Sequence, residues 1–158
     1  MPESAPTGMP VPGFKMRLYR GTVGGSTAWT LVGGVQSVSV DDVSREEVEV
    51  AMRGTEWKRI MPGMMESMGA TIKMIHNIEP TMEALIRNDM LNGTAAQYAL
   101  VNGDIATAGT CGWSIPAYVT QMNRSEELSE IVTNDIKIKL GYIKNGSTMV
   151  EPEWLTVS

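Results

Sequence analysis

A thiol beside an imidazole makes a nucleophile with its base, and this chain has one of each, Cys111 and His76. No local signature joins them. His76 shares the parity of Ile72, Met74 and Ile78 in a strand-like run, which reads as a satisfied, partly buried strand residue. A lone histidine also excludes metal sites built on two imidazoles. Cys111 reads as an inert buried thiol, and one cysteine cannot form an intrachain disulfide. Glu46, Glu47 and Glu49 form a carboxylate cluster, but nothing basic or metal-binding is interleaved with them. Glu47 and Glu49 fall on one face of a strand, so a solvated face is the default reading. Trp57, Lys58 and Arg59 place an aromatic beside two cations, as a single-stranded nucleic-acid platform would, yet two charges are too few to grip a phosphate chain. The turn "GTVGG" lacks the Lys-Ser/Thr of a phosphate loop. No catalytic, cofactor or metal residue is therefore expected, and the chain is not read as an enzyme.

Composition points the same way. The 158 residues suit one domain with extensions, and a chain of this size can bury a self-supporting core. Lys and Arg number 13 against 18 Asp and Glu, a net charge of −5 that argues against phosphate-gripping. It does not argue against a surface that DNA slides past. The opening "MPESAPTGMPVPGF" has no basic start and apolar run, so it is not read as a secretory signal, and no stretch approaches a membrane helix. Folding in a reducing cytoplasm is the simplest reading of the cysteine content. Thirteen methionines stand against one phenylalanine, either as core gap-fillers or as an adaptable surface that orders on a partner. The cluster "MPGMMESM" favours the second, because its methionines cannot all share one regular face.

The elements that must position these residues are mostly strands. Residues 1–14 form a Pro- and Gly-rich arm, 15–145 the body and 146–158 a C-terminal segment. Residues 15–20 and 29–32 read as a hairpin around the Gly-rich 21–27. Residues 35–41 and 46–53 form an acidic-faced ribbon of period two, "VSVDDVSREEVEVAMR", whose Val38, Val40, Val48 and Val50 face inward. Residues 54–69 break the period with Gly54, Pro62, Gly63 and Gly69, and read as a long loop with a short extended piece at 57–60. A strand over 70–78 leads to the one helix, 80–91. Pro80 suits its first turn, Asn92-Gly93 its stop, and Met82, Leu85, Ile86 and Met90 form its apolar stripe. Strands follow at 95–102, 111–122 and 131–143, with a polar loop at 123–130. Trp113, Ile115, Ala117 and Val119 share one face of the second, and Pro116 places it at an edge or a bulge. Strands, one helix and strands again indicate a mainly β sandwich or barrel with a single packed helix.

Three pieces in this order resemble the tail tube (major tail) proteins of long-tailed bacteriophages: "LVGGVQSVSVDDVSREEVEVAMRGTEWKRIMPGM" at 31–64, the helix at 80–91, and "RSEELSEIVTNDIKIKLG" at 124–141. The resemblance implies a β-sandwich with a flanking helix, related in fold to the tube protein of type VI secretion systems. It implies a virion tail subunit, assembled in the host bacterial cytoplasm, whose hexameric rings stack into a hollow conduit for DNA ejection. Strands of six subunits would merge into an inner barrel. Tape measure, tail terminator and tail tip proteins are the expected partners, DNA passes without specific binding, and no membrane or cofactor takes part. On this reading Ser37, Ser39, Asp41, Glu47 and Glu49 line the lumen. Trp57, Lys58, Arg59, Met61, Met64, Met65 and Met68 belong to a loop that contacts the next ring. A non-contractile tail is the favoured form. The alternative is another ring protein of a phage or secretion system, such as a tail terminator or a type VI-like tube component.

Overall fold

Alternation of apolar and polar residues sets most of the strands, and the structure, a computed structural model, describes residues 13–23, 28–41, 43–54, 56–126, 128 and 130–158. The arm expected at 1–14 lies almost wholly outside these residues, as does most of the Gly-rich turn. After a 3₁₀ turn at Gly13–Lys15, the strands are β1 (Arg17–Gly21), β2 (Thr30–Leu31), β3 (Val35–Val40), β4 (Arg45–Val50), β5 (Arg59–Met65) and β6 (Gly69–Ile75). Helix α1 (Pro80–Asn92) follows, then β7 (Ala96–Val101), β8 (Cys111–Ser125), β9 (Thr133–Leu140), β10 (Lys144–Asn145), β11 (Thr148–Met149) and β12 (Glu153–Thr156).

Eight strands make one antiparallel sheet in the order β2-β1-β7-β8-β9-β6-β3, with β12 also on β8. The expected mainly β sandwich or barrel with one helix is built from a single curled sheet. Its two ends share a core, since Leu18 and Val32 of one end and Val38 and Val40 of the other pack in the same apolar cluster. Ala70, Ile72 and Met74 of β6 and Ile136 and Ile138 of β9 supply the middle of that core, while Lys73, Lys137 and Lys139 alternate outward. β7 is buried on both faces, because Tyr19, Ala99 and Val101 form a second small cluster with Trp29, Ile105 and Leu155.

β8 is the spine, with β7 along one side and both β12 and β9 along the other. Ile115, Ala117 and Val119 point inward as expected, and a bulge between Val119 and Gln121 resets the alternation so that Met122 also packs on the core. Pro116 is fully buried in this central strand, which corrects the edge position expected for it. Its carbonyl accepts a hydrogen bond from Gly141 N–H on the side away from β7. The missing proline N–H faces that same side, at the break between β12 and β9, so no ladder bond is lost.

Helix α1 packs against β8. Pro80 occupies its first turn, and Gly93 ends it at φ 65, where a side chain would be strained. Its buried residues are Met82, Glu83, Ile86 and Asp89. Leu85, expected in the apolar stripe, faces outward, and two acids take part in the buried face because both have partners inside.

β4 and β5 form a separate two-stranded ribbon. Two expectations change here. The acidic ribbon is not continuous, since β3 pairs with β6 and β4 pairs with β5. The long loop at 54–69 is in large part a strand: Pro62 sits in β5 opposite Glu47, and an isolated ribbon has a free edge on each strand that tolerates a proline.

Candidate functional site

The residues that could do chemistry are not brought together. His76 Nδ1 lies 2.7 Å from Glu83 Oε1, which also accepts a hydrogen bond from Asn134 Nδ2 at 2.9 Å. Glu83 Oε2 accepts the backbone N–H of Asn77 at 3.1 Å. Burial works to raise the Glu83 pKa, but the Asn77 N–H, the His76 contact and Asn134 outweigh it and hold the carboxyl below its ordinary value. This is a clasp joining β6, α1 and β9. Cys111 belongs to a different corner, where its N–H donates to Asn102 Oδ1 at 3.0 Å. No group of three His, Cys, Asp or Glu side chains converges on a metal position among the described residues. Arg20 holds the buried Asp89 through two nitrogens, at 2.9 and 2.6 Å, which fastens α1 to β1.

Three surfaces remain, and they hold the residues expected to carry function. The first is the β4–β5 ribbon, which stands off the sheet. Glu47 and Glu49 lie across from Pro62 and Ile60 on one face, and Val48 and Val50 across from Met61 and Arg59 on the other. Both faces are open. Trp57 and Met64 are each 79% exposed, and Val48, Ile60, Met61 and Met65 are exposed too. Lys58 Nζ reaches Glu49 Oε1 at 3.4 Å on the surface. Two expectations are corrected. Val48 is not packed inward, and Met68 is not part of the projecting segment: it is buried in the main core, and its carbonyl accepts the Leu140 N–H at 2.8 Å.

The second surface is the polar face of β3, β6, β9 and β8. Ser37 stands across from Lys73, which stands across from Asp135, which stands across from Asn123. Ser39, Thr71, Lys137 and Gln121 form the neighbouring row. Asp41 and Lys139 both flank Gly69 at its margin. Ser37, Ser39 and Asp41 therefore share this wall with three lysines, while Glu47 and Glu49 sit on the separate ribbon. The third surface, absent from any sequence pattern, is a cleft of about 690 Å³ between the β1–β2 end of the sheet and β3. Its apolar lining includes Met16, Leu18, Leu31, Val32, Val35 and Val38. Only sheet order could reveal it, because its walls are strands from opposite ends of the sheet.

No protein-family model and no curated protein matches the chain. Solved structures do. A chain of the SPP1 tail tube superposes with a TM-score of 0.66 at 14% identity, covering 94% of this chain and 81% of that one. A chain from the tail of an empty gene transfer agent particle, determined with C6 symmetry, gives 0.63 at 14% identity over 82% and 93%. A chain of the PVC sheath–tube complex, an extracellular contractile injection system, gives 0.63 at 17% identity over 96% and 95%. This chain has the tail-tube fold. Within that fold the polar wall, the projecting ribbon and the cleft are the surfaces this sequence elaborates.

Proposed function

We propose that this protein is the repeating structural subunit of a tail tube, forming hexameric rings that stack into a hollow conduit. The β4–β5 ribbon carries the reading. A two-stranded ribbon is marginal alone in water, and one that exposes Trp57, Ile60, Met61, Met64 and Met65 requires a partner to cover it. A second copy of the chain supplies that partner in a stack of rings. Trp57, Lys58, Arg59, Met61, Met64 and Met65 form the inter-ring contact, and Met68 leaves that set. The similar tail determined with C6 symmetry supports six subunits to a ring.

The lumen is assigned to the wall bearing Ser37, Ser39 and Asp41, with its strands contributing to an inner barrel across subunits. Lys73, Lys137 and Lys139 offset Asp41 and Asp135 there, so the wall is nearly balanced rather than acidic, and short polar side chains dominate it. Such a wall offers DNA no dense, unopposed set of cations to hold its phosphates. Glu47 and Glu49 pass to the ribbon. A density map of the tube that places Glu47 and Glu49 in the lumen would restore the single acidic wall. Proteins of the tape measure, terminator and tail tip kinds are the partners this role requires in a virion tail.

The second reading is a ring that ends a tube rather than repeating along it. Chains from the anti-feeding prophage tube-terminating cap and the PVC sheath/tube terminator are also similar, at TM-scores of 0.61 and 0.59. Electron microscopy of the purified protein separates the two: open-ended tubes support the repeating subunit, and single closed rings the terminator. Removing residues 46–64 from the ribbon is expected to leave a folded subunit that no longer forms tubes. Tubes of normal length from that deletion would end the stacking role of the ribbon.

A further inference from the structure

We propose that the cleft between β1–β2 and β3 is the seat of the chain's own N-terminal residues, with Met9, Pro10, Val11 and Pro12 of the same subunit closing it. β2 and β3 are the two ends of the sheet and do not pair with each other, so the curl stays open along this line. The opening reaches the main core. Leu18 and Val32, both buried, stand in its floor beside Val35 and Val38, and Leu100 lies across from Leu18 on β7. Met16 and Leu31, both exposed, form its rim. An apolar recess of about 690 Å³ opening onto a core is space that a close-packed protein fills.

Where the chain enters decides the occupant. Gly13, the first residue the structure describes, is itself part of the cleft wall. Met16 N–H donates to the Gly13 carbonyl at 3.1 Å, closing a 3₁₀ turn that folds the chain back on itself beside β1. The residues before Gly13 are therefore tethered at the mouth. A segment held there acts at an effective concentration on the order of millimolar, which a second copy in dilute solution does not match.

The sequence next to the cleft fits it. "MPVP", residues 9–12, carries two apolar side chains, Met9 and Val11, at alternate positions. The methionine adapts to an irregular slot. Each of the two precedes a proline, which biases it to extended backbone and so puts both side chains on one side. The prolines restrict the free segment and lower the entropy lost on seating. They also remove two of its four N–H donors, which makes it a poor ladder partner. The segment seats by its side chains, and it takes none of the main-chain groups of β3 that the proposed inner barrel uses. Residues 2–7, "PESAPT", hold no large aliphatic side chain and lie outside the seat. Closing the cleft completes the core of the subunit before any neighbour arrives, and keeps the rim from drawing in other apolar surfaces.

Disulfide trapping in the full chain, below the concentration for assembly, tests the proposal. Cys111→Ser gives a background without cysteine. Met9→Cys is combined in it with Leu31→Cys on one wall, or with Val35→Cys on the other. After mild oxidation, at least one pair is expected to give a monomer that migrates faster on a non-reducing gel, in a yield that does not change on dilution. Disulfide-linked dimers that fall away on dilution would overturn the proposal in favour of a second copy as occupant. No bond in either pair would overturn it outright. A set of variants without new cysteines covers misfolding of these pairs. Met9→Ser with Val11→Ser is expected to raise the fluorescence of anilinonaphthalene sulfonate, a dye for exposed apolar surface, several-fold over the unaltered protein. Met9→Leu with Val11→Ile, and deletion of residues 2–7, are each expected to leave it unchanged. No rise in the serine variant, or an equal rise on deletion of residues 2–7, would also overturn the seat. Every readout is taken on the free subunit, so none depends on whether the protein builds tubes.

Discussion

Glu83 shows how little the type of a residue says until its partners are known. Among the acids of the described residues it is the one that folding encloses with three donors around its two oxygens: Asn77 N–H, His76 Nδ1 and Asn134 Nδ2. Glu83→Ala leaves the buried Asn134 amide and the Asn77 N–H without their acceptor, and is expected to cost about 1–3 kcal/mol in urea unfolding. The pH dependence has a definite sign. The folded-state pKa of Glu83 lies below its ordinary 4.5, so its contribution is fully present above that value. It is lost as pH falls through the depressed folded value. Glu83→Gln is therefore expected to flatten the acid limb of the stability curve below about pH 4.5, and an unchanged acid limb would count against the clasp. Tyr98 is the opposite case. Burial first, then the charge of Asp89, pushes its hydroxyl up to about 12 against the opposing pull of Arg20, so it stays neutral. That hydroxyl is buried without a hydrogen-bond partner. Tyr98→Phe removes it at nearly constant shape, so the thermal midpoint is expected to hold or rise. A clear fall would show that the hydroxyl is satisfied by Arg20.

At the level of elements, the period-two strands were legible and the pairings were not. Ile72 and Met74 against Lys73, and Ile136 and Ile138 against Lys137, announce half-buried strands by alternation alone. α1 was legible from Pro80 and Gly93, and its buried face in part: Met82 and Ile86 follow the apolar stripe, but Asp89 goes inside only by virtue of Arg20, 69 residues away. β5 was missed because Pro62 and Gly63 normally break strands, and only a ribbon with two free edges accepts them. The clearest consequence of pairing is at Gly112. A Cβ there would collide with the Leu100 carbonyl across the β7–β8 ladder. Gly112→Ala is expected to destabilise the sheet by about 1–3 kcal/mol, read in urea unfolding, because backbone and not a flexible side chain must yield. The ribbon predicts the reverse behaviour. Among the described residues nothing covers β4 and β5, so their amides are expected to exchange with solvent quickly in the free protein and slowly in tubes. Equal exchange in both states would remove the ribbon from the assembly contact.

At the scale of the whole molecule, polarity decides how far an assembly grows. On the proposed stacking, each subunit offers its ribbon to a different surface of a second copy, so the donor and acceptor surfaces are unlike. An interface of that kind has no reason to stop, unlike a two-fold contact that satisfies both partners at once. Removing the donor alone should therefore make a terminator rather than an inert spectator. The variant lacking residues 46–64 keeps the eight-stranded sheet, so it can accept a ribbon but cannot offer one. Mixed into the unaltered protein, it is expected to shorten tubes progressively as its fraction rises, with the critical concentration little changed. Tube lengths measured by electron microscopy across these mixtures decide the point. Undiminished lengths at equal amounts of variant and unaltered protein would mean that stacking uses a surface other than this ribbon.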